Sequence, residues 1–118
     1  MNREVRFYKT EAGHCPVEEF LDRLDGRQAQ KVTWVLRLIG ELAVVPAKYF
    51  KKLVGTEDIW EARVDSGRDT FRLLGFFDGL RIIVLTHGFQ KKTQKAPKQA
   101  IVLAQERRRD YLRRKKHE

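Results

Sequence analysis

Two tight-turn signals, Ser66-Gly67-Arg68-Asp69 and Phe77-Asp78-Gly79-Leu80, leave the stretch from Ile59 to Lys95 few ways to fold. Asp-Gly between apolar runs favours a type I′ turn and Gly-Xaa a type II′ turn, both of which join antiparallel strands through two residues. Three consecutive strands are therefore expected, followed by a basic loop. Two-residue loops also set the register. Arg63 then faces Arg72, Val64 faces Phe71, Leu85 faces Arg72 across the next pair, and His87 lies diagonal to Arg72. Alternation divides the sheet into two faces. Trp60, Ala62, Val64, Phe71, Leu73, Phe77, Ile82 and Val84 make one. Glu61, Arg63, Arg72, Leu74, Phe76, Ile83, Leu85 and His87 make the other.

Directly opposed arginines repel unless something neutralises them. A bridging anion such as a phosphate would do so; so would Glu61, or one guanidinium could reach into water along its own stem. These readings stay open at the level of sequence. The second face is too apolar to be fully solvated. Its Leu74–Phe76 end needs a cover, which leaves the Arg63/Arg72/His87 end as a candidate cleft.

The rest of the chain supplies the layers. Residues 4–8 alternate as a first strand with Val5 and Phe7 inward. Pro16 suits the first position of a helix, and Val17, Phe20, Leu21 and Leu24 follow at helical spacing over 16–24. Asp25-Gly26 ends that helix. A second runs from about Arg27 to Ala43 on the stripe Ala29, Val32, Leu36, Ile39 and Ala43, with Trp34 off the stripe near the sheet edge. The pair reads as an αα-hairpin against the apolar face. Residues 46–57 read as a connecting loop with a positive edge at Lys48, Lys51 and Lys52. A last helix begins at Ala96-Pro97 and dissolves into Arg113-Arg114-Lys115-Lys116. The expected class is α+β, with a mainly antiparallel four-stranded sheet, in one domain over residues 1–118.

Charge narrows the partners. Of the net +9, residues 1–90 contribute little, with 14 lysines and arginines against 13 acids. Residues 91–118 carry 11 against 3. Such asymmetry points to a polyanion: RNA, DNA or an acidic protein. No apolar run approaches membrane-spanning length, and the N-terminus is charged where a signal peptide needs an apolar core. The lone Cys15 forms no internal disulfide, so a cytoplasmic protein with no membrane partner is expected. One cysteine and three scattered histidines make no metal cluster, and no phosphate-binding glycine loop is present. Neither metal nor cofactor is expected.

The cations that remain suit phosphodiester cleavage in RNA, where the substrate supplies its own 2′-OH nucleophile. Arg63 and Arg72 can hold a phosphorane through their guanidinium forks. His87, ordinarily titrating at about pH 6.5, can move a proton, and the two arginines should depress its pKa in the free protein. Lys91 and Lys92 are the other candidates for proton transfer. Lys51, Lys52, Lys95, Arg113, Arg114, Lys115 and Lys116 are candidate RNA contacts. The bland alternatives are a strand histidine satisfied by a local partner and a basic loop that merely positions phosphate or meets water.

The segments KLVG, IWEARV, DTFRLLGFF, DGLRIIVLTHGFQKKTQKAP and AQERRRDYL resemble the RelE/ParE toxin superfamily, in particular its HigB-like, phage-derived branch. That resemblance implies an mRNA endoribonuclease cutting message in the 30S A site of the ribosome, and a cognate helix-turn-helix antitoxin. It implies that Arg72 matches a phosphate-contacting arginine of the family, and that Arg63 and Lys91 or Lys92 fall near other basic positions. The second-strand lysine pair of RelE is here Glu61 and Arg63, and no tyrosine ends the fourth strand. His87 is the substitute for proton transfer. Two alternatives stand beside this: a gyrase-inhibiting toxin of the ParE kind, and a non-enzymatic nucleic-acid-binding regulator.

Overall fold

The computed structural model describes residues 2–93 and 96–117. In chain order the elements are β1 (Glu4–Phe7), α1 (Pro16–Asp22), α2 (Gly26–Glu41), β2 (Phe50–Lys52), β3 (Trp60–Ser66), β4 (Asp69–Asp78), β5 (Ile82–Gln90) and α3 (Lys98–Lys115). The strands form one sheet in the order β1-β5-β4-β3-β2. β1 runs parallel to β5 and the other pairs are antiparallel. The architecture is α+β, but the sheet is five-stranded and mixed rather than four-stranded and mainly antiparallel. The extra strand comes from the segment read as a loop. Phe50 is buried and stacks on Trp60 at 4.9 Å between ring centroids, which brings Lys51 opposite Glu61.

α1 and α2 cover one face of the sheet. Val17, Phe20, Val32, Val35, Leu36 and Ile39 pack there against Ala62, Val64, Phe71, Leu73, Ile83 and Leu85. The αα-hairpin is only partly as expected. α1 stops at Asp22, and Asp25 opens α2 instead of closing α1: its carboxylate accepts from the Gln28 amide at 2.8 Å, while the Gln28 side chain accepts from the Asp25 amide. This reciprocal cap satisfies two amides that have no partner within the helix.

α3 covers the other face, packing Ala104 against Tyr8, Ile59, Leu74, Phe76 and Val84. It continues through Arg113, Arg114 and Lys115 instead of dissolving before them. Crossed bonds clamp it down. Tyr8 donates to Asp110 at 2.5 Å, and Tyr111 donates to Asp78 at 2.7 Å. Lys115 also reaches Asp78 at 2.5 Å, and Arg114 reaches Asp110 at 2.6 Å.

The first hairpin keeps its expected register, with Ser66 opposite Asp69, Arg63 opposite Arg72 and Val64 opposite Phe71. Gly67, at φ +61°, takes the position that needs a left-handed backbone. The second hairpin does not. Its loop is Gly79-Leu80-Arg81, because Asp78 stays in the strand opposite Ile82, held by its bonds to Tyr111 and Lys115. That slip of three residues, an odd number, puts Ile83 and Leu85 on the α1/α2 face and Ile82 and Val84 on the α3 face, the reverse of expectation. Leu85 consequently faces Gly75, not Arg72.

A second irregularity then restores the parity. Between the pairs Gly75–Leu85 and Leu74–His87, β5 holds one extra residue, Thr86. The backbones are so close here that a Cβ on Gly75 would lie 2.6 Å from the Val84 carbonyl oxygen. Beyond the bulge His87 faces Leu74, and Phe89 faces Arg72. The two odd shifts add to an even one, so His87 returns to the arginine face, diagonal to Arg72 as expected, with Phe89 in the place expected for Leu85.

Candidate functional site

On the α3 side of the sheet lies one cross-strand row containing Arg63, Arg72 and Phe89. The next row contains Lys51, Glu61, Leu74 and His87. Strand spacing of about 4.8 Å sets these groups close together. Glu61, only 4% exposed, extends between the two guanidinium groups: its Oε1 lies 3.4 Å from Arg63 Nε and 3.5 Å from Arg72 Nε. So the repulsion of the opposed arginines is met by a carboxylate, as one of the sequence readings allowed.

The neutralisation is incomplete. One carboxylate serves two cations, and neither Nε forms a hydrogen bond to it. Arg72 is 5% exposed. It donates from Nη1 to the Phe71 carbonyl at 2.9 Å and lies 3.8 Å from Asp65, which is well exposed. Burial, opposed by Glu61 and reinforced by Arg63, lowers its pKa. Arg63 is half-buried and opens the pair to solvent. The arrangement leaves two buried guanidinium N–H groups without a hydrogen-bond acceptor among the described residues.

His87 is held by the bulge. The Thr86 hydroxyl donates to the Leu74 carbonyl at 3.1 Å, so its oxygen accepts from His87 Nδ1–H at 3.0 Å. That chain assigns the neutral tautomer with its proton on Nδ1 and a bare lone pair on Nε2. Nε2 is buried and has no hydrogen-bond partner among the described residues. Burial, with Arg107 as the second cause, lowers the His87 pKa to about 4. The direction agrees with expectation and the cause differs: Arg63 and Arg72 were expected to supply it. Arg107 comes from α3, where it also donates to the Thr86 carbonyl at 3.1 Å. Gly88 faces the opposite way, directly under Phe20, where a Cβ would approach the ring to 2.5 Å. His87-Gly88-Phe89 thus presents two rings to the α3 side of the sheet, where Phe89 also packs against the α3 core, and none to the α1/α2 side.

Of the remaining predicted cations, Lys91 and Lys92 follow β5 at its open end, with the Lys91 amide bonded to the Thr70 carbonyl. Lys51 is exposed on the arginine side of β2. Lys52 pairs with Asp58 at 3.2 Å. Lys95 lies outside the described residues. Arg113 and Arg114 pair with Asp110, and Lys115 with Asp78, so their charge is partly used in fastening α3. Lys116 is exposed at the helix end.

Two residues of this site escaped sequence reasoning. Arg107 had a signal: it falls three residues after Ala104 and four before Tyr111, on the stripe of α3 that faces the sheet. Thr86 had none, because nothing local announces the bulge. A family model described as "Phage derived protein Gp49-like (DUF891)" matches residues 19–109, a span that includes Glu61, Arg63, Arg72, His87, Lys91 and Lys92. No curated protein matches the chain.

Proposed function

Because the chain belongs to the phage-derived Gp49-like family, part of the RelE/ParE-like toxin superfamily, we propose that it is a toxin that cleaves messenger RNA on the ribosome and so halts translation. The family is associated with toxins of toxin–antitoxin systems, which implies an antitoxin partner. We place the chain in the HigB-like branch, acting in the cytoplasm as a single domain beside a helix-turn-helix antitoxin.

The observation that carries the ribonuclease reading is Arg72: a buried guanidinium, opposite a second arginine, sharing one carboxylate and keeping Nε unbonded. A scissile phosphate drawn over Arg63 and Arg72 supplies the missing acceptor. The charge on its non-bridging oxygens grows as the phosphorane forms, so the same donors bind the transition state more tightly than the ground state. The 2′-oxygen attacks phosphorus and its proton passes to His87 Nε2. The bond from phosphorus to the 5′-oxygen breaks, and that oxygen takes a proton from the ammonium of Lys91 or Lys92. The products are a 2′,3′-cyclic phosphate and a 5′-hydroxyl, with no net electron change. Nε2 is shielded in the free protein, with the Phe89 ring centroid 5.9 Å from that of His87. Substrate binding must displace what covers it. Lys51 and Lys52 contact flanking phosphates, Lys95 extends the basic loop, and Arg113, Arg114, Lys115 and Lys116 add a positive field at the far end of α3.

The test is primer extension on total RNA after a pulse of expression. New 5′ ends within translated frames are expected with the wild-type chain and not with Arg72→Ala. Loss of one oxyanion donor lowers cleavage roughly a hundred- to thousand-fold. Growth arrest with intact message and a DNA-damage response would overturn the reading in favour of a gyrase-inhibiting toxin. Intact message with undamaged DNA would favour a nucleic-acid-binding regulator.

A further inference from the structure

Trp34 takes no part in the core and is 40% exposed on the outer flank of α2. Its ring meets Tyr49 edge-on at 5.7 Å and 87°. Lys31 sits over the indole at 4.7 Å, and Lys48 over the phenol at 4.9 Å. Neither lysine pairs with a carboxylate among the described residues. Arg37, three residues on, borders the same depression as Trp34. Over its whole length α2 carries Arg27, Lys31 and Arg37 against one acid, Glu41. Two aromatic rings, each with a cation at its face, are therefore held on a flank where positive charge dominates.

The patch borders the β2 edge of the sheet from the α1/α2 side, while the arginine side chains approach the same edge from the α3 side. The Tyr49 carbonyl accepts the Arg63 amide at 2.8 Å, extending the Arg63–Arg72 row across the β2 edge of the sheet. A strand leaving the arginines over that edge arrives at Tyr49 and then Trp34. We propose that Trp34 and Tyr49, with Lys31 and Lys48, form a second subsite for unpaired RNA, stacking nucleobases that flank the cleaved phosphate. The subsite rests on the ribonuclease reading for its substrate, and on its own residues for its chemistry. Single-stranded nucleic acid is held by aromatic faces for the bases and cations for the backbone. Both are present here within one side chain's reach. In the free protein the lysines occupy the ring faces. An arriving nucleotide exchanges them, its base taking the indole face and its phosphate taking the ammonium.

Fluorotryptophan-labelled protein makes this directly visible, because the chain has two tryptophans and Trp34→Phe assigns their fluorine resonances. The ligand is 2′-O-methyl oligouridine, which lacks the nucleophile and cannot be cut. Titration is expected to shift the Trp34 resonance, and the same oligomer with abasic sugars is expected not to. Trp34→Ala should weaken oligouridine binding roughly tenfold, while Trp34→Phe stays within about threefold, since either ring stacks. A shift produced equally by the abasic oligomer, by polyphosphate or by polyglutamate would overturn the subsite, showing only general attraction of anions. So would unchanged affinity in Trp34→Ala. The two readings fail separately. If wild-type protein cuts message but Trp34 does not respond, the subsite is wrong. If Trp34 responds but no message is cut, the ribonuclease reading is wrong and an RNA-binding surface remains.

Discussion

His87 exists in its present state because of the residue before it. Thr86, spare in the ladder, gives its hydrogen to the Leu74 carbonyl and its oxygen to His87 Nδ1–H. The imidazole is buried and neutral, with a pKa of about 4 against about 6.5 in an unfolded chain. The unfolded chain therefore binds the extra proton first as pH falls, and stability declines through the window from about 6.5 to about 4. Between pH 7 and pH 4.5 this one group should remove roughly 2.5 kcal/mol of unfolding free energy. Urea denaturation at the two pH values is the check: His87→Gln should lose that part of the dependence, and an equal slope in both proteins would contradict the burial argument. At this scale the arginines were legible in the sequence, since a turn signal and a count of three residues back from each side of it suffice to oppose Arg63 and Arg72. Thr86 and Arg107 act on His87 from a bulge and from another layer, and neither relationship is encoded in local pattern.

Among the elements, α3 decides most of what sequence reasoning missed. Asp78 lay in a plausible two-residue turn until α3 engaged it through Tyr111 and Lys115. Those two partners, Lys115 first, hold its carboxyl below the usual range. Local turn chemistry lost to a bond spanning 37 residues. The first hairpin had no such competitor, and Gly67 supplied the turn as expected. β2 was illegible because three residues with two lysines show no pattern; its pairing with β3 goes with the burial of Phe50 against Trp60 and Phe77. Asp78→Ala should strip α3 of its anchor at that end, costing about 1.5–3 kcal/mol for a charge-assisted bond, and Asp78→Asn less. Hydrogen exchange locates the effect: protection should fall across 98–115 first, with β3 and β4 retained. Uniform loss over all elements would mean that α3 and the sheet unfold as one unit.

Across the whole molecule, charge is less lopsided in space than along the chain. The basic C-terminal quarter folds back as α3 and spends Arg109, Arg113, Arg114 and Lys115 on Glu57, Asp110 and Asp78. The cations left for an RNA include Lys51, Lys91 and Lys92 around the arginine row. Neutralising those three to glutamine should reduce the salt slope of binding to 2′-O-methyl RNA by about 2, given roughly 0.7 counterions per contact on a single strand. Neutralising Arg113 and Arg114 should change it less, because Asp110 already opposes them; the reverse order would show that the helix end is the principal RNA contact. The folding of α3 onto the sheet also has a consequence for synthesis. Tyr8 waits 102 residues for Asp110, and Leu74, Phe76 and Val84 have no cover until the helix that follows residue 97 has been made. A nascent chain halted before that point holds the arginines but lacks Arg107 and the clamp, with an apolar face open to chaperones and proteases. Synthesis of α3 is thus the step at which the second face of the sheet gains its cover and the candidate site its Arg107.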